Sequence, residues 1–315
     1  MPARRALLGL VLAAPVLHRA AATAPLPVVA SFSILGDLLG RVGGERVAVR
    51  TIAGPDVDAH AFQPRPSDAE AIRRARLVVR NGLGFDAWLD RLTAAAGYSG
   101  RLITAAEGVT PRRLEEAGHG HSHGHSHGHS HGHSHGDQDG SDPHAWQDLR
   151  NGQQYARAIA AGLAAADPDG AEAYRRNAEA LVAELATLDG WVRAQIGSVP
   201  EERRQVVTSH DAFGYFGAAY GVRFRAPHGI STESEPSAAQ VAALIRLLKR
   251  ERITAVFLEN MANPATLRRL AAEAGVKVQG QLYADALSAA GGPAPSYVAM
   301  FRHNVGLLVP AMRGD

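Results

Sequence analysis

Short apolar runs alternate with amphipathic stretches through most of this chain. Pro27 to Ser31 predicts a strand, Ile34 to Val42 a helix and Val47 to Ile52 a strand; Pro66 to Ala75 is then a helix whose start is marked by Ser67 and Asp68. Leu77 to Arg80 predicts a strand, Phe85 to Ala96 a helix, and Leu102–Ile103 a short strand. This alternation is that of parallel sheet with crossover helices. From Pro168 to Val199 apolar residues recur at three and four, at Leu181, Leu185, Leu188, Val192 and Ile196, as on one long helix. The alternation then restarts with a strand from Arg204 to Thr208. A helix follows over Ala238–Arg252, a strand over Thr254–Leu258, a helix over Ala265–Ala274, a strand over Val276–Leu282 and a closing helix over Tyr297–Met312. The predicted fold class is α/β: two (β/α) lobes with parallel sheets, residues 25–165 and 201–315, joined by one long helix over 166–200.

Two stretches break the pattern. Residues 1–24 read as an export signal: Arg4 and Arg5 start it, Ala6 to Leu17 is apolar, and Ala20–Ala22 or Ala22–Ala24 offers small residues for cleavage. Residues 116–141 are Gly, Ser, His and acid with almost nothing to bury, which predicts a disordered His-rich loop. No later run of about 18 apolar residues predicts a membrane span.

Composition narrows the function classes. With 315 residues, 46% of them hydrophobic, the chain can build packed cores and is not disordered throughout. The formal charge of +2 resides in the leader, since Arg4, Arg5 and Arg19 leave 30 basic against 31 acidic residues behind them; a nucleic-acid partner is not expected. The absence of Cys excludes disulfides, thiolate zinc sites and thiol catalysis within the chain. It also removes the residue that carries a bacterial lipid anchor, so the expectation is an unanchored protein of the periplasm.

The unusual count is 15 His. Nine stand at alternate positions, His119, His121, His123, His125, His127, His129, His131, His133 and His135, separated by Gly and Ser. Such a segment lets imidazoles converge on zinc, copper or nickel weakly and at several places, which makes it an auxiliary metal loop. His18 leaves with the leader, and His228 and His303 read as a turn residue and a helix-surface residue. His60, His144 and His210 each sit where a strand or loop gives way to a helix, and Asp285 follows the strand that ends at Leu282. Ligands of α/β lobes collect beyond the carboxyl ends of parallel strands. Three imidazoles and one carboxylate would make a closed four-coordinate site; singly, each residue reads equally as a cap or surface group. There is no HExxH and no Gly-rich phosphate loop, so an enzyme is not expected.

Four segments carry a family resemblance. Asp58-Ala59-His60-Ala61-Phe62-Gln63-Pro64-Arg65-Pro66-Ser67-Asp68 is similar to an HxYEPxPSD pattern, with Phe62 and Gln63 in place of Tyr and Glu. Asp142-Pro143-His144-Ala145-Trp146 matches DPHxW, and His210-Asp211-Ala212-Phe213-Gly214-Tyr215-Phe216 resembles HDAxGYF. Gly229 to Ser237 resembles a further signature ahead of a helix. Together they resemble the metal-specific solute-binding proteins of bacterial ABC importers, the zinc- and manganese-uptake branch often called ZnuA-like. The resemblance implies two similar lobes bridged by a rigid helix, a metal in the interlobe cleft, and His60, His144, His210 and Asp285 as its ligands. It implies an ABC permease and its ATPase as partners, with a periplasmic metallochaperone as a further candidate, and a monomer is expected. Manganese members usually present a carboxylate as third ligand. The imidazole of His210 shifts the preference to zinc. The expected function is periplasmic zinc capture for an ABC transporter, with a manganese or other divalent-metal binding protein, or a metal buffer or adhesin without transport, as the alternatives. Imidazole binds metal only when neutral, so binding is expected to weaken as pH falls towards about 6, the free-His range. Asp58, Asp142 and Asp211 are candidate partners for the outer ring nitrogens.

Overall fold

The computed structural model describes residues 24–113, 141–230, 232 and 236–314. The export signal, apart from Ala24, and the nine alternating histidines lie outside the described residues. The first lobe runs β1 (Leu26–Phe32), α1 (Ser33–Gly43), β2 (Val47–Ala53), α2 (Pro66–Arg74), β3 (Leu77–Arg80), α3 (Trp88–Ala95) and β4 (Arg101–Thr104). Next come α4 (Leu149–Ala166) and the long α5 (Ala171–Gly197). The second lobe has β5 (Gln205–Val207), α6 (Gly214–Tyr220), β6 (Arg223–Arg225), α7 (Ala238–Glu251), β7 (Val256–Glu259), α8 (Pro264–Ala274), β8 (Val278–Leu282) and α9 (Tyr297–Arg313).

Both sheets are wholly parallel, and they share one strand order: β2-β1-β3-β4 and β6-β5-β7-β8. The order reverses beside β1 and beside β5, the places where α/β sheets open a crevice at their carboxyl edge. The local chemistry follows the sequence. Pro66 opens α2 and the buried Asp68 carboxylate accepts the Arg65 N–H at 2.8 Å, so the Pro-Ser-Asp part of the first motif is a helix start. Ser237 caps α7 reciprocally with Gln240, and Asn263 and Pro264 open α8.

The predicted long helix is present as α5, 27 residues and about 40 Å long, preceded by a 3₁₀ turn at Pro168–Gly170. Its buried stripe is Tyr174, Ala178, Leu181, Leu185, Leu188, Val192 and Ile196. One end is bonded to the first lobe, where Asn177 Nδ2 donates to the Val42 carbonyl at 3.0 Å. The other is bonded to the second lobe, where Arg193 donates to the Ala219 carbonyl at 2.8 Å and Tyr220 Oη to Asp189 at 2.8 Å. The predicted elements do not include α4, although its buried Tyr155, Ala156, Ile159, Ala160 and Leu163 recur at three and four. Its Gly152 and Gly162 allow close packing: a Cβ would lie 2.6 Å from Tyr297 Oη and 2.7 Å from Ile103 Cδ1. One core runs through both lobes by way of α4, α5 and α9, and a second small core lies under α7 and α8 around Val207, Leu248, Val256 and Leu270. Among the described residues no helix is long and apolar enough to cross a membrane.

Candidate metal centre

Four loops bring His60, His144, His210 and Asp285 together, and one ligand atom of each lies within 4.8 Å of the others. His60 follows β2, His210 follows β5 and Asp285 follows β8, while His144 stands just ahead of α4. His144, His210 and Asp285 are fully buried and His60 is partly so. Ring centroids are 5.3 Å apart for His60 and His144, 5.7 Å for His60 and His210, and 5.4 Å for His144 and His210. The Nε2 atoms of His60, His144 and His210 stand 3.2, 3.6 and 2.9 Å from the Asp285 oxygens. Asp285 Oδ1, Asp285 Oδ2 and His210 Nε2 make no hydrogen bond of proper geometry despite complete burial. Buried polar atoms are costly when unpaired, and their common focus is a point that a cation can occupy.

Each of the two fully buried imidazoles has a carboxylate on its outer nitrogen. Asp142 Oδ1 accepts from the His144 backbone N–H at 3.0 Å and lies 2.8 Å from its Nδ1. For His210 the partner is Glu259, at the end of β7. Glu259 Oε1 accepts the Ser209 and His210 N–H groups at 2.8 and 3.0 Å, and Oε2 is 2.5 Å from Nδ1. The sequence reading missed Glu259, because 49 residues separate it from the imidazole it serves. Of the three aspartates named from sequence, Asp142 is a ring partner. Asp58 instead accepts the His60 backbone N–H at 2.9 Å and the Thr232 hydroxyl at 2.6 Å. Burial and the neighbouring Asp142 raise the pKa of Asp211.

Aromatic side chains hold the loops. Phe85 packs edge-on to His60 at 4.7 Å, and Trp146 sits 5.3 Å from His144. Trp88 Nε1 donates to the Ala59 carbonyl at 2.9 Å, and Phe62, in the place of the motif Tyr, packs on Trp88 at 4.9 Å. Trp146 Nε1 and Gln147 Nε2 both donate across the cleft to the Ala284 carbonyl at 2.9 Å, next to Asp285. Asn81 Nδ2 donates to the Pro143 carbonyl at 3.0 Å, and Tyr155 Oη donates to Asn81 Oδ1 at 2.6 Å. His228 and His303 stand apart from the cluster; His303 Nε2 meets the Gln281 carbonyl at 2.9 Å.

The electrostatics change one expectation. Burial pulls the His144 pKa down, but Asp285 and the Asp142 hydrogen bond outweigh it and lift the group to about 9. His210 is raised well above the usual imidazole range, because Glu259 and Asp285 outweigh its burial. Asp285, which burial alone would raise, is held well below the usual carboxylate range by His210 and His144. Without a metal the cluster therefore retains protons that a cation must displace, and competition begins near pH 9 for His144 rather than near the free-His value of about 6.5.

A two-lobed α/β protein with three imidazoles and a carboxylate buried between its lobes is a metal-binding protein of the solute-capturing kind. The family described as "Zinc-uptake complex component A periplasmic" matches residues 28–311, and the chain belongs to that family of periplasmic metal-binding components of ABC importers. It is 33% identical to the manganese-binding lipoprotein MntA of Halalkalibacterium halodurans over 91% of this chain and 88% of that protein. It is 29% identical to the iron ABC transporter substrate-binding lipoprotein MtsA of Streptococcus pyogenes serotype M1, over 89% and 86%. The periplasmic zinc binding protein TroA from Treponema pallidum superposes with a TM-score of 0.81 at 27% identity, covering 92% of this chain and 99% of that one. Membership implies a permease and an ATPase as partners. One expectation is overturned. The relatives are named lipoproteins, against the reading of a protein without a lipid anchor, so the lack of Cys in this sequence carries no conclusion about membrane attachment.

Proposed function

We propose that this protein captures zinc for its importer, with His60, His144, His210 and Asp285 as the ligands and no catalytic role. Residues 25–165 and 201–315 act as the two lobes and 166–200 as the strut between them. The observation that carries the zinc reading is the third imidazole: His210 makes the donor set three nitrogens and one carboxylate, which suits a tetrahedral borderline cation. TroA, similar in structure, is named for zinc. Manganese is the second reading, favoured by the name of the 33% identical MntA and by the two unpartnered oxygens of Asp285. The nine histidines of 119–135 are proposed as a weak auxiliary store that feeds the cleft.

The test is metal competition on chelator-stripped protein lacking 119–135. Offered equimolar zinc and manganese, it should retain one zinc per chain, and the same protein with His60→Ala should retain close to none. One manganese per chain would establish the second reading, and loss of neither ion on His60→Ala would overturn the ligand assignment.

A further inference from the structure

The loop that carries His60 crosses to the opposite lobe at a residue no ligand argument requires. Asp56 adopts φ +56°, a left-handed conformation that costs an ordinary side chain energy and that Gly adopts freely. Its contacts are all with the second lobe. The Asp56 N–H donates to the Leu287 carbonyl at 2.9 Å, Asn260 Nδ2 donates to Asp56 Oδ1 at 2.9 Å, and the Ala289 N–H reaches Asp56 Oδ2 at 3.4 Å. Asn260 also donates to the Ala286 carbonyl at 3.2 Å, while its own Oδ1 is buried without a partner among the described residues. Thus a strained backbone and an unsatisfied amide oxygen meet in one small contact. Strain of this kind persists where surrounding structure enforces it and clusters at functional elements.

The neighbours of this contact give it a role. Asp56 lies in the loop of His60, Leu287 lies two residues past Asp285, and Asn260 directly follows Glu259, the carboxylate on His210. One polar clasp therefore joins the loops of two ligands, His60 and Asp285, and adjoins the carboxylate that holds a third, His210. It is also reachable: Asp56 is exposed, and the adjacent Val57 is the large apolar side chain that stands out in solvent among the described residues. We propose that Asp56 and Asn260 form an interlobe clasp whose opening governs how fast the captured ion leaves. Asp56 and Asn260 are positioning residues. They touch no ion and act by holding the His60 and Asp285 loops together. This inference rests on the ligand assignment proposed above.

The experiment is stopped-flow release of zinc, or of manganese if that is the ion retained, into excess chelator. Wild type, Asp56→Gly, Asp56→Asn, Asn260→Ala and the Asp56→Gly/Asn260→Ala double variant are compared, with the association rate and Tm of each. Asp56→Gly removes the carboxylate and relieves the φ strain, so Tm of the metal-free protein should hold. Release should quicken about tenfold, the equivalent of one hydrogen bond to a charged group. Asp56→Asn, which tolerates the conformation and keeps an acceptor for Asn260, should stay within about threefold of wild type. The double variant should release no faster than the faster single one, because both remove the same contact. Release from Asp56→Gly unchanged within twofold, or acceleration that adds fully in the double variant, would overturn the clasp. Failure of wild type to bind either ion would overturn the ligand assignment instead.

Discussion

The two lobes repeat one strand order, yet they anchor their buried imidazoles by different routes. In the first lobe His144 takes its carboxylate from two residues earlier, Asp142, within the same loop. In the second, His210 takes it from Glu259 on the neighbouring strand β7, and the same side chain also holds the Ser209 and His210 backbone N–H groups. A local anchor moves with its ligand, whereas a cross-strand anchor ties the ligand to the sheet. His210 should therefore be the better fixed of the two and His144 the one whose loop can shift.

That comparison can be broken by mutation. The largest effect is expected from a ligand itself: His210→Ala should weaken zinc binding by about a hundredfold or more, taking structural-zinc energies shared over four ligands. Calorimetry with a competing chelator measures it, and a loss below about tenfold would remove His210 from the donor set. Next come the anchors. Glu259→Gln should cost about ten- to a hundredfold in affinity, and Asp142→Asn less, because a local loop can readjust where a strand cannot. Equal losses would erase the distinction between the lobes. The effect of pH runs through the same cluster. His144 is raised from its ordinary value to about 9 in the metal-free fold, so the stability it supplies is complete below about 6.5 and disappears as pH climbs through about 9. Zinc affinity should move the opposite way, rising about tenfold per pH unit for each proton displaced, with the His144 contribution levelling off above pH 9. A metal-free Tm that does not fall between pH 7 and 9.5 would contradict the ionised His144–Asp285 contact. The smallest effect concerns packing. Leu248→Ala, in the small core beneath α7 and α8, should cost less than Leu185→Ala in the core shared by both lobes, because a thin layer collapses more readily around a cavity.

How much of this was legible in the chain depends on sequence distance. The parallel sheets and α5 could be read because apolar periodicity is local, and Asp142 could be read because it stands two residues from His144. The convergence of His60, His144, His210 and Asp285 was expected on a resemblance rather than on periodicity, since folding alone closes the gaps between them. Glu259 and Asn260 were invisible for the same reason: nothing in Phe-Leu-Glu-Asn distinguishes a strand end that serves a histidine 49 residues upstream. The α4 helix could have been read from Tyr155, Ile159 and Leu163, which stand four apart; only the close packing of its Gly152 and Gly162 on Tyr297 and Ile103 needed the fold. The proton affinity of the cluster escaped too, since it arises from carboxylates brought near by the fold.

Zinc K-edge absorption on the stoichiometrically loaded protein lacking 119–135 tests the donor set most directly. Three imidazole nitrogens and one carboxylate oxygen at about 2.0–2.2 Å are predicted, with one imidazole signature lost in His210→Ala. A six-coordinate, oxygen-dominated shell, or a spectrum that His210→Ala leaves unchanged, would contradict it.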